Sequence, residues 1–347
     1  MYNQIKNIHL EITQRCQAAC PMCMRNEGTS DSRYISNAEI TLQDIQKTLS
    51  KELIQDLESF TMCGNLGDPI TAKDTLDIYK YLRSINSNLF FVLITNGGAK
   101  TTDWWIELAR VFGSRGVVNF SVDGLEDTNH IYRKNVSWSV VENSMRAFCK
   151  AGGRARWDYL VFEHNKHQVE EAKKLGESIG ISEFRSKISH RFFYREDVKV
   201  VDDKTKQIVV IKPPTKEIKN KVQEVISEHG SKEAFLKETK VIECKSKRDQ
   251  SIFISAEGDI FPCCWVGASL YYWWKPDRSE KIWKFIDLAG GKEFINIHSR
   301  SLDEILENRM FKDIESSWTN KEDRLEICEY QCSQDMSKFK TEKLKWS

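Results

Sequence analysis

Three cysteines constrain this chain before anything else does. Cys16-Gln-Ala-Ala-Cys20-Pro-Met-Cys23 follows at once on an apolar segment, Ile8–Ile12, that reads as a strand, and the spacing is C-x3-C-x2-C. Any fold must therefore set a strand end beside a loop that gathers three thiols. Three thiolates can ligate three irons of a 4Fe-4S cluster and leave the fourth iron open. An open iron suits catalysis rather than electron carriage. A zinc site is the alternative, together with buried structural thiols. Zinc usually wants paired C-x2-C knuckles, and no partner knuckle or nearby histidine follows this run.

The compartment points the same way. Met1 to Leu10 has no apolar core or small-residue cleavage pattern of a secretory signal. The longest purely apolar run, Leu89 to Ile94, is far too short for a membrane span. A cytoplasmic location is expected, where ten cysteines are metal or catalytic ligands more often than disulfides. Net charge is +1, so no global field favours nucleic acid or an anionic membrane as a partner. A length of 347 residues with 40% hydrophobic content allows one large domain and a smaller one.

Up to about residue 190, apolar runs alternate with helical patterns, the mark of βα units and a mainly parallel sheet. Strands are expected at Ile8–Ile12, Ser59–Cys63, Phe90–Thr95, Val117–Val122, Arg156–Phe162 and Glu183–Ile188. Helices are expected over Leu42–Glu58, Asp74–Ile85, Asp103–Phe112 and Val140–Ala151. A further helix should open on an Asn165/Gln168 capping box and close at Gly180. Val198–Val201 and Gln207–Ile211 read as a hairpin, followed after Pro213-Pro214 by a charged helical stretch, Thr215–Thr239. Ser251–Ser255 and Asp259–Pro262 read as a second hairpin, with a helix near Ser301–Ile314. The expected division is 1–195, 196–243 and 244–347.

The cysteine motif after the first strand resembles the signature of the radical S-adenosylmethionine (SAM) superfamily. Four further stretches resemble that family's SAM-binding elements, each at the C-terminal end of a successive strand, where parallel sheets place their sites. Cys63-Gly64-Asn65-Leu66-Gly67-Asp68-Pro69 is similar to the Gly-Gly-Glu-Pro element that receives the SAM amino group, with Asp68 in place of the glutamate. Thr95-Asn96-Gly97-Gly98 resembles the turn that approaches SAM. Ser121-Val122-Asp123-Gly124 resembles the ribose- and carboxylate-contacting element, with Arg133 as an addition, and Leu160-Val161-Phe162 would face the adenine. Met22 stands where the family usually has an aromatic residue, a gap that a soft apolar side chain can fill. The resemblance covers roughly residues 8 to 190. It implies a partial (β/α)6 TIM-like barrel with a small C-terminal α+β iron–sulfur extension, and SAM as a cofactor beside the 4Fe-4S cluster.

A second cysteine group follows. Cys244, Gly258 and Cys263 fit C-x13-G-x4-C, and Cys328-x3-Cys332 lies further on. This resembles the Twitch or SPASM extension of part of the superfamily, which houses auxiliary 4Fe-4S clusters. The cysteines are too few for two, so one auxiliary cluster on Cys244, Cys263, Cys328 and Cys332 is implied. A four-cysteine zinc site is the alternative. Neighbours on a strand point to opposite faces, so only one of Cys263 and Cys264 should face the cluster, and spacing favours Cys263. Cys63 and Cys149 read as core thiols, with Cys63 a minor candidate as a hydrogen-atom donor. Tyr271-Tyr272-Trp273-Trp274 would pack in a core, shield the cluster or line a pocket.

The resemblance implies reductive cleavage of SAM to a 5′-deoxyadenosyl radical that removes a hydrogen atom from an unactivated carbon. A reductant such as flavodoxin or ferredoxin would serve as partner. Three functions compete: an oxidoreductase acting on a small molecule of sugar or aminocyclitol type, a peptide- or protein-modifying maturase, and a non-catalytic iron–sulfur or zinc protein. The chain starts almost directly at the first strand, which tilts the expectation toward a small molecule. No residue stands out as a catalytic acid or base.

Overall fold

The computed structural model describes residues 4–26, 35–193, 197–202, 204–215, 228–231, 234, 241–271, 276–320 and 322–334. Six strands carry the alternation that the sequence displays: β1 (Asn7–Leu10), β2 (Ser59–Met62), β3 (Phe90–Thr95), β4 (Gly116–Ser121), β5 (Ala155–Val161) and β6 (Glu183–Ile188). They pair in sequence order and all in parallel. Parallel neighbours require crossovers, and here helices supply them. These are α1 (Leu42–Thr48), α2 (Lys51–Asp56), α3 (Thr75–Ile85), α4 (Thr102–Phe112), α5 (Asn129–Tyr132), α6 (Trp138–Lys150) and α7 (Val169–Ile179). The result is the partial barrel that the resemblance implies.

The two faces of the sheet differ. Phe91 packs on Tyr79 of α3 and Phe112 of α4, with ring centroids 4.8–5.5 Å apart around the group. Phe120 meets Trp105 and Phe148 from α4 and α6. Such packing removes whole aromatic surfaces from water, about 1.5–3 kcal/mol for each phenylalanine. Phe112→Ala would cost about 3–5 kcal/mol. The register places Asn7, His9, Ser59, Thr61, Val92, Ile94, Asn119, Ser121 and Asp158 on the opposite, inner face. That face is largely polar and is where a ligand can enter.

Two local expectations change. The stretch Leu42–Glu58 is two helices, because the Ser50 side chain accepts from Leu53 N–H and starts α2 afresh. Asn165 stands at the N-cap position of a 3-10 turn, Lys166–Gln168, but its side chain makes no capping bond. Its side chain instead accepts from Phe162 N–H and donates to the carbonyls of Asp123 and Leu160, while α7 begins at Val169. Gly180 closes α7 as expected, with φ +96°. The charged stretch Thr215–Thr239 lies almost wholly outside the described residues, as do Tyr272, Trp273 and Trp274.

The C-terminal part is joined to the barrel through the sheet. β7 (Val198–Val201) and β8 (Ile208–Ile211) form a separate antiparallel pair. β9 (Ser251–Ile254) pairs in parallel with β1, and β10 (Ile260–Phe261) pairs antiparallel with β9, so one sheet runs through eight strands. Gly258 turns this hairpin at φ +87°, a conformation that glycine adopts without strain. Around it lie α8 (Lys245–Arg248), α9 (Cys264–Ala268), α10 (Pro276–Leu288), α11 (Leu302–Glu307), α12 (Arg309–Ser316) and α13 (Glu326–Cys332). The helix expected near Ser301–Ile314 is thus a pair, its first member opened by a Ser301–Glu304 capping box. No helix among the described residues is long and apolar enough to cross a membrane.

Candidate active site

The loop after β1 carries Cys16, Cys20 and Cys23, with Cys20 buried and the other two half-buried. Its turn is tied by Cys23 N–H to the Cys20 carbonyl at 3.0 Å and by Ala19 N–H to the Lys134 carbonyl at 3.0 Å. Burial first, and then Asp68, pushes the Cys16 thiol up to about 12. Burial also raises Cys20, against the pull of Arg133. Such thiols keep their protons until a metal displaces them.

The elements at the ends of β2, β3 and β4 all reach this loop. The segment after β2 docks backbone against backbone. Asp68 N–H donates to the Arg15 carbonyl at 2.8 Å, and a Cβ on Gly67 would lie 1.8 Å from the Thr13 oxygen. A Cβ on Gly64 would lie 2.2 Å from the Gly67 oxygen. Only glycine permits such an approach. The Asp68 carboxylate is buried and ties the next strand end in. Oδ1 accepts from Thr95 Oγ1 at 2.7 Å and from Ile70 N–H at 3.2 Å, and Oδ2 accepts from Asn96 N–H at 2.7 Å. A carboxylate has about four acceptor positions, which leaves one on Oδ2.

Asn96 continues the chain of contacts. Its Oδ1 accepts from Gln17 Nε2 at 2.7 Å and from Gly98 N–H at 2.8 Å, and its Nδ2 lies 3.8 Å from Cys16 Sγ. From β4, Asp123 is buried. Its Oδ1 accepts from Leu160 N–H at 2.6 Å and its Oδ2 from Arg133 Nε at 2.7 Å. Arg133 then places Nη1 3.8 Å from Cys20 Sγ. Ser121 ends β4 on the inner face, and Met22 is fully buried in the core. Asn65 faces elsewhere: its Nδ2 donates to the Cys264 carbonyl at 2.9 Å, joining this loop to the start of α9. The donor set fits a cluster held by three thiols, with amide and guanidinium N–H groups supporting the sulfurs.

Several inner-face residues escaped the sequence reading. Glu11, fully buried just past β1, accepts on Oε1 from Leu66 N–H at 2.7 Å and Gly67 N–H at 3.3 Å. Burial raises its carboxyl to about 7. Among the described residues, Glu11 Oε2, Asn119 Oδ1 and Asp158 Oδ1 are buried acceptors without a partner. Asp158 is also paired with Lys187 at 3.0 Å. The i, i+2 alternation through Asn7, His9 and Glu11 was the available signal for the first of these.

The second cysteine group also comes together. Cys244, Cys263, Cys328 and Cys332 line one cavity, with Trp265, Val266, Ile314 and Trp318 around them. Cys244 and Cys332 share a hydrogen bond that, with burial, raises the Cys244 thiol. Burial pushes Cys263 up to about 11 and raises Cys328 further. Cys264 is not in this cavity. Burial raises it, and the charges it meets include Cys63 and Glu11 as well as Cys263. Cys63 is pushed up to about 12 by burial, and Cys149 to about 11. Among the described residues, no three His, Cys, Asp or Glu side chains converge as the ligands of a single ion do. A cluster places its ligands on separate irons.

The family model described as the radical SAM superfamily matches residues 10–176, and that of the SPASM iron–sulfur cluster-binding domain matches residues 244–333. No curated protein is significantly similar in sequence. The structure of native anSMEcpe with bound AdoMet is similar over 94% of this chain and 88% of that one, at 16% identity and a TM-score of 0.54. Streptococcus suis SuiB bound to S-adenosylmethionine is similar over 76% of this chain, at 15% identity and a TM-score of 0.51. The chain spans 61% of the length of that SuiB. At these identities the likeness is one of fold.

Proposed function

This chain belongs to the radical SAM superfamily, and on that premise we propose that it is an oxidoreductase that removes a hydrogen atom from its substrate in a net oxidation. The observation that carries the reading is the convergence of three strand ends on one three-cysteine loop. Cys16, Cys20 and Cys23 would hold the catalytic 4Fe-4S cluster, and Cys244, Cys263, Cys328 and Cys332 the auxiliary one. Bound there, the first cluster would supply an electron for the reductive cleavage of SAM to methionine and a 5′-deoxyadenosyl radical, and the second would be an acceptor for the electron released from substrate.

The chain's own groups bind and orient. The backbone of Gly64 to Asp68 and the remaining acceptor position on Asp68 Oδ2 would take the SAM amino group. Thr95 and Asn96 would hold the turn against it, and Ser121, Asp123 and Arg133 would take the ribose and carboxylate. Asn65 would lock this loop to α9, beside the auxiliary ligands. Met22 would close the apolar side. A flavodoxin or ferredoxin is the expected reductant.

For the substrate we favour a small polar molecule of sugar or aminocyclitol type, supported by the polar inner face with its unpartnered acceptors. A peptide is the second reading. It is supported by the anSMEcpe structure with bound Cp18Cys peptide, which is similar over 94% of this chain at a TM-score of 0.53. The test measures 5′-deoxyadenosine above the substrate-free background with an aminocyclitol and with a cysteine-containing peptide as probes. Stimulation by the aminocyclitol, with one SAM consumed per oxidised product, is the expected result. Stimulation by the peptide alone transfers the assignment to the second reading. SAM recovered intact after turnover refutes the net oxidation.

A further inference from the structure

The chain leaves β6 into a short 3-10 turn, His190–Phe193, that carries Arg191. Its Nη1 donates to Tyr132 Oη at 3.1 Å. Tyr132 is itself buried and fixed, packed on Phe162 with ring centroids 4.6 Å apart. The residue after it, Arg133, places Nη1 3.8 Å from Cys20 Sγ. Arg191 therefore shares an anchor with a guanidinium already in contact with a cysteine ligand. Its electrostatic neighbours are Tyr132, the thiols of Cys23 and Cys20, and Arg133.

The two arginines are not equivalent. Arg133 has its own carboxylate, Asp123, at 2.7 Å, so much of its charge is offset locally. Among the described residues, Arg191 has no carboxylate within ion-pair distance, and its hydrogen-bond acceptor is a neutral phenol. A partly buried guanidinium facing another one is unfavourable unless an anion lies beside both. A cluster on thiolate ligands is such an anion, and it gains one more negative charge on reduction. A fixed cation stabilises the more negative state more, and so raises the reduction potential. Arg133, paired with Asp123, would contribute less.

We propose that Arg191, anchored by Tyr132, is the counter-cation of the three-cysteine centre and raises the potential of the cluster held there. It acts as a positioning and electrostatic residue for the first electron transfer, and the proposal rests on the reading of Cys16, Cys20 and Cys23 as cluster ligands.

The test is a potentiometric titration of the anaerobically reconstituted full chain, followed by electron paramagnetic resonance. The catalytic cluster is identified as the one whose signal changes when SAM is added. Arg191→Met should keep its iron and become about tenfold harder to reduce, a midpoint lower by about 59 mV. Arg191→Lys should fall between the two, and Tyr132→Phe should shift less in the same direction. With flavodoxin as reductant, 5′-deoxyadenosine formation by Arg191→Met should drop about tenfold, and a stronger reductant should restore it. An unchanged midpoint in Arg191→Met with full iron overturns the proposal. So does an Arg191→Lys shift as large as that of Arg191→Met, which would make shape the cause. If Arg191→Met does not hold iron, Arg191→Lys and Tyr132→Phe decide, and wild-type midpoints in both overturn it. A wild-type protein with no SAM-responsive cluster sinks the functional reading itself, and this proposal with it.

Discussion

Gly67→Ala is the most exacting perturbation of the proposed SAM site, because it adds one methyl group where the backbone leaves none. The new Cβ would lie 1.8 Å from the Thr13 oxygen, 2.6 Å from the Thr13 carbonyl carbon and 2.9 Å from the Arg15 oxygen. Ordinary contact begins at 3.4 Å, so the loop must retreat by about 1.6 Å. Both obstacles are backbone atoms of the segment leading to Cys16 and cannot rotate away. The retreat strains Gly67 N–H to Glu11 Oε1 and Asp68 N–H to the Arg15 carbonyl together. Overpacking of this kind costs about 1–3 kcal/mol of stability. A misplacement near 1 Å costs about a hundredfold in rate where positioning carries the chemistry. The variant should keep its iron, bind SAM more weakly and form 5′-deoxyadenosine about a hundredfold more slowly with excess reductant. Gly176→Ala is the control. Its Cβ would meet Trp157 at an ordinary 3.4 Å on α7, and the rate should not change. A Gly67→Ala rate within about threefold of wild type would refute the placement of SAM against this loop.

Three further substitutions serve as tests elsewhere. Cys263→Ser should lose the auxiliary cluster and about half the iron, while Cys264→Ser should keep it, as iron analysis of reconstituted protein will show; the reverse pattern would reassign the ligand. Glu11 has its carboxyl raised from 4.5 to about 7 by burial, so the folded state holds its proton more tightly than the unfolded chain. Its contribution is therefore present below about pH 4.5 and lost as pH rises through 7, about 3 kcal/mol in all. Glu11→Gln should flatten that part of the pH dependence of the denaturant midpoint between pH 5 and 8, and a variant with the wild-type slope would contradict the assignment.

The sequence was most legible where periodicity and covalent chemistry coincide. The six barrel strands fall within about two residues of their expected bounds, because alternation of buried and inner-facing side chains is a local property. The three-cysteine loop was equally plain. Pairing partners were not. Nothing in Ser251–Ile254 announces that it lies beside β1, since the edge that β1 would otherwise leave open is closed by a strand more than two hundred residues away. The break at Ser50 was hidden because Leu49 and Leu53 keep the apolar spacing across it. Asn165 looked like a cap because its alternative partners, Asp123 and Leu160, come from tertiary structure. Glu11 and Arg191 are ordinary residue types in ordinary positions, and only their neighbours distinguish them. The cysteine pair 263–264 was half legible. Alternation said that one thiol must turn away, and Cys263, not Cys264, lines the cavity with the other three cysteines.

The central claim is that Cys16, Cys20 and Cys23 hold a cluster that cleaves SAM. It is tested most directly by anaerobic reconstitution with iron and sulfide, followed by SAM and dithionite, with iron and 5′-deoxyadenosine measured on the same sample. The account predicts about eight irons per chain and steady formation of 5′-deoxyadenosine, with Cys16→Ala keeping about four irons and forming none. Wild-type protein that forms no 5′-deoxyadenosine, with a Cys16→Ala variant identical to it in iron content and spectrum, would contradict it.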